Sequence, residues 1–308
     1  MEGAFLATGS YDRTIRIWDV GSQQPLATYN FRQIPNGLAL SPDWQHLAAV
    51  GKGSVSVYDL KQNAEPCKFD AEEVLNWTTC RFTDDGMSLL ACSDSGLLRR
   101  YCQRSAQVEG IDVEAGLNTM EIDSVAGYIL LGDQEGCLRA YDLRQMKTEV
   151  GKVVAFEHDI GVRYILTLPG SLLACCDSRG ILKLYKYGEG GEFFRQIQSI
   201  QAHVGMITHI SATKDGTHLA TSGIDRSCKI WFLRSPETTP LMRYGELPQQ
   251  DMTIWSSVFV NNADGIFTTS DKTLKLWRWR HGVPREPVNI FAGHSHTVVS
   301  VLLRERSS

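Results

Sequence analysis

The sequence predicts an all-β protein, a single seven-bladed propeller over residues 1–308 with one blade assembled from both ends of the chain, 1–31 and 291–305. Three observations carry this reading. A short strand ending in an aromatic residue recurs at Trp18, Tyr58, Tyr101, Tyr141, Tyr185, Trp231 and Trp277, at intervals of 40 to 46 residues. A turn-forming residue stands at a fixed offset before each of these aromatics. The chain also opens part-way through one repeat and stops one strand into another.

The recurring strands alternate with a period of two, as in Thr14-Ile15-Arg16-Ile17-Trp18-Asp19 and Ser54-Val55-Ser56-Val57-Tyr58-Asp59. That period marks a half-buried strand. Before it in each repeat come a strand, an Asp- or Gly-bearing turn, a small-residue strand such as Leu219-Ala220-Thr221-Ser222, and a tight turn. The tight turn calls for a residue that tolerates positive φ, or for an acidic side chain that holds backbone N–H groups. Asp12, Asp225 and Asp271 stand six residues before the three tryptophans, and Gly53, Gly96, Gly136 and Gly180 stand five before the four tyrosines. Strand order, period and turn chemistry together match the four-stranded blade of a WD-repeat propeller.

Closure is read from the ends. Phe291 to Leu303 contains a Gly-His and the first strand of a repeat, whereas Phe5 to Thr8 is a second strand lacking its first. Joined, they make one blade, so seven blades form a circle without an open edge.

With 43% hydrophobic and 21% charged residues the chain has the apolar surface to build a core, which argues against disorder. The net charge of -4, with Lys and Arg scattered, leaves no basic stripe for a phosphate backbone, so nucleic acid is not an expected partner. No basic-then-apolar leader opens the chain and no run of about 18 apolar residues occurs, so the expectation is a cytoplasmic protein without a membrane span. Eight cysteines without a CxxC pair read as reduced thiols, most of them small hydrophobes in strands, and no metal or cofactor is expected.

His294, Thr8, Asp12 and Trp18, like His203, Thr221, Asp225 and Trp231, resemble a hydroxyl-His-Asp triad on paper. The triad also requires an exposed nucleophile and oxyanion donors. WD-repeat proteins use the same residues as a hydrogen-bonded chain from Asp to His to Ser or Thr to Trp, and that structural reading is preferred here, with Asp271 and Trp277 as the set of the seventh blade. His158 takes the histidine place in blade five, where Tyr185 replaces Trp. Gly188-Glu189-Gly190-Gly191-Glu192 lacks the Lys-Ser/Thr of a phosphate loop. Trp44, beside Asp43 in a turn, and Trp279 read as surface or rim packing rather than binding anchors. Tyr141-Asp142-Leu143-Arg144 approximates the Trp-Asp-x-Arg box of propellers that serve cullin-RING ubiquitin ligases as substrate receptors.

Along nearly its whole length the chain resembles the LST-eight family, the G-protein-β-subunit-like members of TOR (target of rapamycin) kinase complexes. The family pattern Ala-Gly-Tyr-Asp-x-Thr-x-Arg-x-Trp is matched by Thr8-Gly9-Ser10-Tyr11-Asp12-Arg13-Thr14-Ile15-Arg16-Ile17-Trp18. In blade two the resemblance rests on Asn36, Leu38, Asp43, Leu47-Ala48-Ala49, Gly51 and Tyr58-Asp59-Leu60, in blade four on Gly132-Asp133-Gln134-Glu135-Gly136, and in blade six on Leu219 to Trp231. Two departures fall at the ring's mouth: Thr253-Ile254-Trp255 stands where the family has Trp-Met-Trp, and Ile34 replaces a glutamine.

The resemblance implies a non-catalytic scaffold that binds and stabilises the TOR kinase domain in growth and nutrient signalling, as a monomeric propeller within a larger complex, recruited to endomembranes only through it. A substrate receptor of a cullin-RING ligase, or another protein-interaction scaffold, is the alternative. By repeat alignment the residue after each opening apolar position faces the mouth, giving Asn36, Thr78, Asn118, Arg163, Thr208, Trp255 and Val299. Trp255 either packs on a neighbouring blade or anchors a partner, and the resemblance favours the anchor. The expected partner-binding set is therefore Trp255, Asn36, Ile34, Thr253, Asn118 and Arg163.

Overall fold

A computed structural model describes residues 4–61, 65–70, 75–102, 107–157, 159–188, 191–234, 240–260, 264–278 and 286–304. Every regular element among them is a strand, and the strands form seven antiparallel four-stranded sheets. The innermost strands are Gly37–Leu40, Trp77–Phe82, Leu117–Asp123, Tyr164–Leu168, Ile207–Ala212, Ile254–Val260 and Val298–Arg304. Each packs on the next, and Val298–Arg304 packs on Gly37–Leu40, so the blades form a closed ring. In blade 1, Val298–Arg304 pairs with Phe5–Ser10, from Phe5 opposite Arg304 to Gly9 opposite Ser300.

The second strand of each blade is sandwiched between neighbouring blades and is buried on both faces. Leu47, Ala48, Ala49 and Val50 are all fully buried, as are Leu89 to Cys92. Core clusters consequently lie between blades: Leu130 and Leu138 of blade 4 pack with Ile165 and Tyr185 of blade 5, and Phe267 and Leu276 of blade 7 with Leu6, Trp18 and Val301 of blade 1. The strand-ending aromatics reach across these seams, Trp18 edge-on to Phe291 with ring centroids 6.3 Å apart.

The tight turns follow one backbone rule. Gly53, Gly96, Gly136 and Gly180 have φ of 63°, 92°, 85° and 90°, and Arg13 and Arg226 occupy the same place with φ of 63° and 66°. Blade 7 has its left-handed residue too, Asp271 with φ of 54°, so all seven turns need one, and an acidic side chain adds to it without replacing it. In the Trp-ended blades 1 and 6 an arginine accepts the strain, and the preceding aspartate holds the turn.

Candidate functional site

Two sets of side chains were candidates for chemistry, and geometry assigns both to structure. In blade 1, Asp12 Oδ2 lies 2.9 Å from His294 Nδ1, His294 Nε2 lies 2.8 Å from Thr8 Oγ1, and Trp18 Nε1 donates to that hydroxyl at 2.8 Å. Blade 6 repeats this with His203 3.0 Å from Asp225, 2.7 Å from Thr221, and Trp231 donating to Thr221 at 2.9 Å. Thr8 and Thr221 are fully buried. A hydroxyl that accepts an indole N–H and sees no solvent cannot serve as a nucleophile. Burial pushes the Asp12 carboxyl up, but hydrogen bonds from Thr14, His294 and the Ser295 backbone outweigh it and hold it well below the usual carboxylate range. His203 and His294 are pulled down by burial against the pull of their aspartates. Each network therefore pairs a carboxylate with a neutral imidazole.

Asp271 does not belong to the network of blade 7. The Trp277 indole does donate to Thr268 Oγ1 at 2.9 Å, but Gln250 Nε2, also at 2.9 Å, takes the place of histidine. The turn is one residue shorter: Thr268 lies nine residues before Trp277, whereas Thr8 and Thr221 lie ten before theirs. Asp271 consequently occupies the tip itself, with φ of 54° and its side chain exposed, and its carbonyl accepts from Val298 N at 2.7 Å. Asp225→Ala is expected to destabilise by about 1 to 3 kcal/mol through orphaned buried groups, and Asp271→Asn, which keeps a residue that tolerates positive φ, by under about 0.5 kcal/mol. Urea melts of both variants check the contrast.

Blades 4 and 5 use residues that pattern reading passed over. Asp133 Oδ1 accepts the N–H groups of Glu135 and Cys137, and its Oδ2 accepts Arg139 Nε at 2.9 Å. Asp177 holds Arg179 N and Ile181 N in the same way. The signal was present as Asp-x-x-Gly, an aspartate three residues before the turn glycine. Asp133, Glu135 and Cys137 bring three ligand atoms within 4.8 Å of one another, but both Asp133 oxygens are already bonded, so this cluster is a turn anchor. His158 and Trp279 lie outside the described residues.

The mouth of the ring is the remaining candidate. In blades 3, 4, 6, 7 and 1, Thr78, Asn118, Thr208, Trp255 and Val299 sit where the ladder slips by one residue, a β-bulge at the start of the inner strand. Bulges re-aim side chains, and here they accompany a ring of bonds from each blade to the next. Asn36 Nδ2 donates to Trp77 O at 2.9 Å, Thr78 Oγ1 to Leu117 O at 3.0 Å, Asn118 Nδ2 to Val162 O at 3.0 Å, and Thr208 Oγ1 to Ile254 O at 2.5 Å. Asn36 and Asn118 thus use their amide N–H groups to tie blades together. The ring is interrupted at Arg163, Trp255 and Val299, whose side chains make no such bond among the described residues. Trp255, Arg163 and Ile34 line a cavity of about 300 Å³ with the other rim residues. Thr253, one residue before the inner strand, is half-buried and does not line it.

Deeper in the channel Arg81 Nε and Nη2 donate to Glu121 at 3.2 and 2.7 Å, Nη2 also reaches Tyr164 Oη at 3.3 Å, and the Tyr164 ring lies 4.5 Å from that of His209. Four blades are joined across the bore. Burial, with the Arg81 charge adding, pulls the His209 imidazole down to about 3. Its unfolded value is about 6.5, so below that pH the unfolded chain binds a proton that the folded chain refuses. Stability is therefore fully present above about pH 6.5 and falls by about 1.4 kcal/mol per unit as pH drops toward 3. Between pH 7.5 and 5 this amounts to about 2 kcal/mol, and His209→Gln should remove that share of the slope in denaturant melts. An unchanged slope would assign the acid sensitivity elsewhere.

These blades, turns and pinned tryptophans define the class: a WD-repeat β-propeller. The family described as WD domain, G-beta repeat matches residues 2–19 and 194–231. The fold is similar to that of the Myceliophteria thermophila Cps50 (Swd1) β-propeller domain, with a TM-score of 0.70 and 13% identity over 86% of this chain and 89% of that one. In sequence the chain is 28% identical to the target of rapamycin complex subunit wat1 of Schizosaccharomyces pombe over 73% of each chain. It is 27% identical to the target of rapamycin complex subunit LST8 of Bos taurus over 73% of this chain and 72% of that one, and 26% identical to the LST8 homolog of Drosophila melanogaster over 82% and 81%. The chain is thus similar to LST8 proteins of several organisms along about three quarters or more of its length.

Proposed function

We propose that this propeller is a non-catalytic subunit of TOR kinase complexes, and that it binds and stabilises the kinase domain through the part of its mouth formed by blades 6, 7 and 1. The relatives' role supports the partner. The asymmetry of the mouth supports the place. Tyr11, Val204, Ile224 and Met252 are 42%, 84%, 42% and 54% exposed on the mouth-side loops of those three blades, next to half-buried Met206 and Trp255. Blades 2 to 4 present the self-bonded Asn36, Thr78 and Asn118 instead. An apolar arc beside a satisfied polar arc suits off-centre docking of a protein partner. The chain would work in the cytoplasm and meet endomembranes only through its complex.

Affinity purification of the tagged chain with mass spectrometry tests this reading. Recovery of the TOR kinase is expected. A cullin-RING adaptor without the kinase would instead favour a substrate receptor using the Tyr141–Arg144 box, in which Asp142 caps its own turn and Arg144 is exposed.

A further inference from the structure

Trp44 occupies a place that the same turn gives to glycine in two other blades. In blade 2, Ser41 Oγ and Gln45 N donate to Asp43 Oδ1, and Trp44 N donates to Ser41 O. In blade 3 these bonds recur with Thr83, Asp85, Gly86 and Met87, and in blade 6 with Thr213, Asp215, Gly216 and Thr217. The backbone is left-handed in all three, with φ of 60° at Trp44, 67° at Gly86 and 70° at Gly216. A bulky L-residue is strained there. Strain that persists where a cheaper residue fits points to a use for the side chain.

The Trp44 side chain lines a groove of about 550 Å³ between blades 1 and 2, with Leu26, Tyr29 and Leu60 among its walls and Asp43 and Lys61 at its rim. Leu26 is 57% exposed. Leu40, which ends the inner strand of blade 2, lines this groove, whereas Gly37, which begins it, lines the mouth. Groove and mouth are therefore at opposite ends of the ring. One wall is Pro25–Asn30, the outermost strand of blade 1, whose outer edge pairs with no strand of the sheet.

We propose that this groove is a second docking site, separate from the mouth, which takes an extended segment of another protein carrying an arginine beside an aliphatic side chain. The open edge of Pro25–Asn30 offers backbone partners to an extended chain, and Leu26, Tyr29 and Leu60 offer it an apolar seat. Charge selects the flanking residue. Asp43 Oδ1 receives both internal bonds, leaving Oδ2 without a hydrogen-bond donor among the described residues. Those bonds, and the nearby Lys61, hold the carboxyl below its usual range, so it is ionised at neutral pH. A guanidinium can meet Oδ2 at the rim of the groove. Lys61 opposes that cation, which makes its reversal informative.

The probe is a fluorescein-labelled hexapeptide of alternating arginine and leucine, with its glutamate–leucine counterpart as control. It is followed by anisotropy and by the fluorine resonance of Trp44 in 5-fluorotryptophan-labelled protein, assigned by its absence in Trp44→Gly. The arginine peptide is expected to bind saturably, shift that resonance and outcompete the glutamate peptide. Asp43→Asn, which keeps an oxygen for the turn, should weaken binding about threefold, and Lys61→Glu should strengthen it by a similar factor. Trp44→Gly should lose binding while its melting temperature stays level or rises, because the turn regains its unstrained residue. Trp255→Ala should leave peptide binding unchanged, which separates this site from the mouth. Absence of saturable binding, preference for the glutamate peptide, or a Trp44→Gly protein that melts well below the parent would overturn the proposal.

Discussion

A chain that stops before Val298 is expected to be insoluble, or to melt on the order of 10 °C below the parent. Val298 is fully buried and Val301 3% exposed, both in the core shared by blades 7 and 1. Their removal alone forfeits roughly 1.5 to 3 kcal/mol each. Phe5–Ser10 would then lose its entire ladder to Val298–Arg304. The neighbours on either side, Ile254–Val260 and Gly37–Leu40, would lose the strand between them. An unpaired strand facing a gap in the ring is a template for aggregation. His294, which lies outside the deleted strand, would be carried by a segment no longer tied to blade 1, so the Asp12–His294–Thr8–Trp18 chain should open as well. Expression with solubility fractionation, followed by calorimetry of any soluble protein, checks this. A soluble truncation melting with the parent would show that blade 1 does not need its innermost strand.

What could be read in the sequence was what is local. A strand alternates within six residues, and a left-handed turn needs its glycine within the same repeat, so seven blades could be counted from Trp18, Tyr58 and their successors. Asp12 and Asp225 stand out for the same reason, since each is a fixed step from its tryptophan. Asp271 kept that step and misled, because the missing residue lies on the other side of the turn, between Thr268 and Asp271. A count from threonine to tryptophan would have exposed it. Long-range features left no such trace. Arg81 meets Glu121 and Tyr164 from 40 and 83 residues away, and nothing near any of the three marks the meeting. The bulges at Thr78, Asn118, Thr208, Trp255 and Val299 are slips between two strands, and a single strand's alternation does not record a slip. Trp44 was visible as an oddity, but its strain emerged only once Gly86 and Gly216 were seen in the same turn.

Trp255→Ala is expected to weaken capture of the TOR kinase by about 2 kcal/mol or more, roughly thirtyfold in Kd. The expectation rests on position. Its inner strand slips at Trp255, between the buried Ile254 and Ser256, so the indole is presented at the mouth while its neighbours hold the core. It contributes no bond to the ring that Asn36, Thr78, Asn118 and Thr208 build, so truncation leaves the blades tied. Tyr11 and Met206 line the cavity with it, and Ile224 and Met252 are exposed on the loops of blades 6 and 7, so a partner seated there covers a tryptophan flanked by apolar groups, the setting in which one residue dominates an interface. Circular dichroism and melting temperature should therefore change little. Lys147→Ala and Arg195→Ala alter exposed residues away from the mouth and should capture the kinase like the parent. Arg163, with no acidic partner among the described residues, stands in blade 5, directly beside this arc. Its substitution by alanine should chiefly reduce the salt sensitivity of capture. Equal capture by folded Trp255→Ala and parent would move the docking face away from blades 6, 7 and 1.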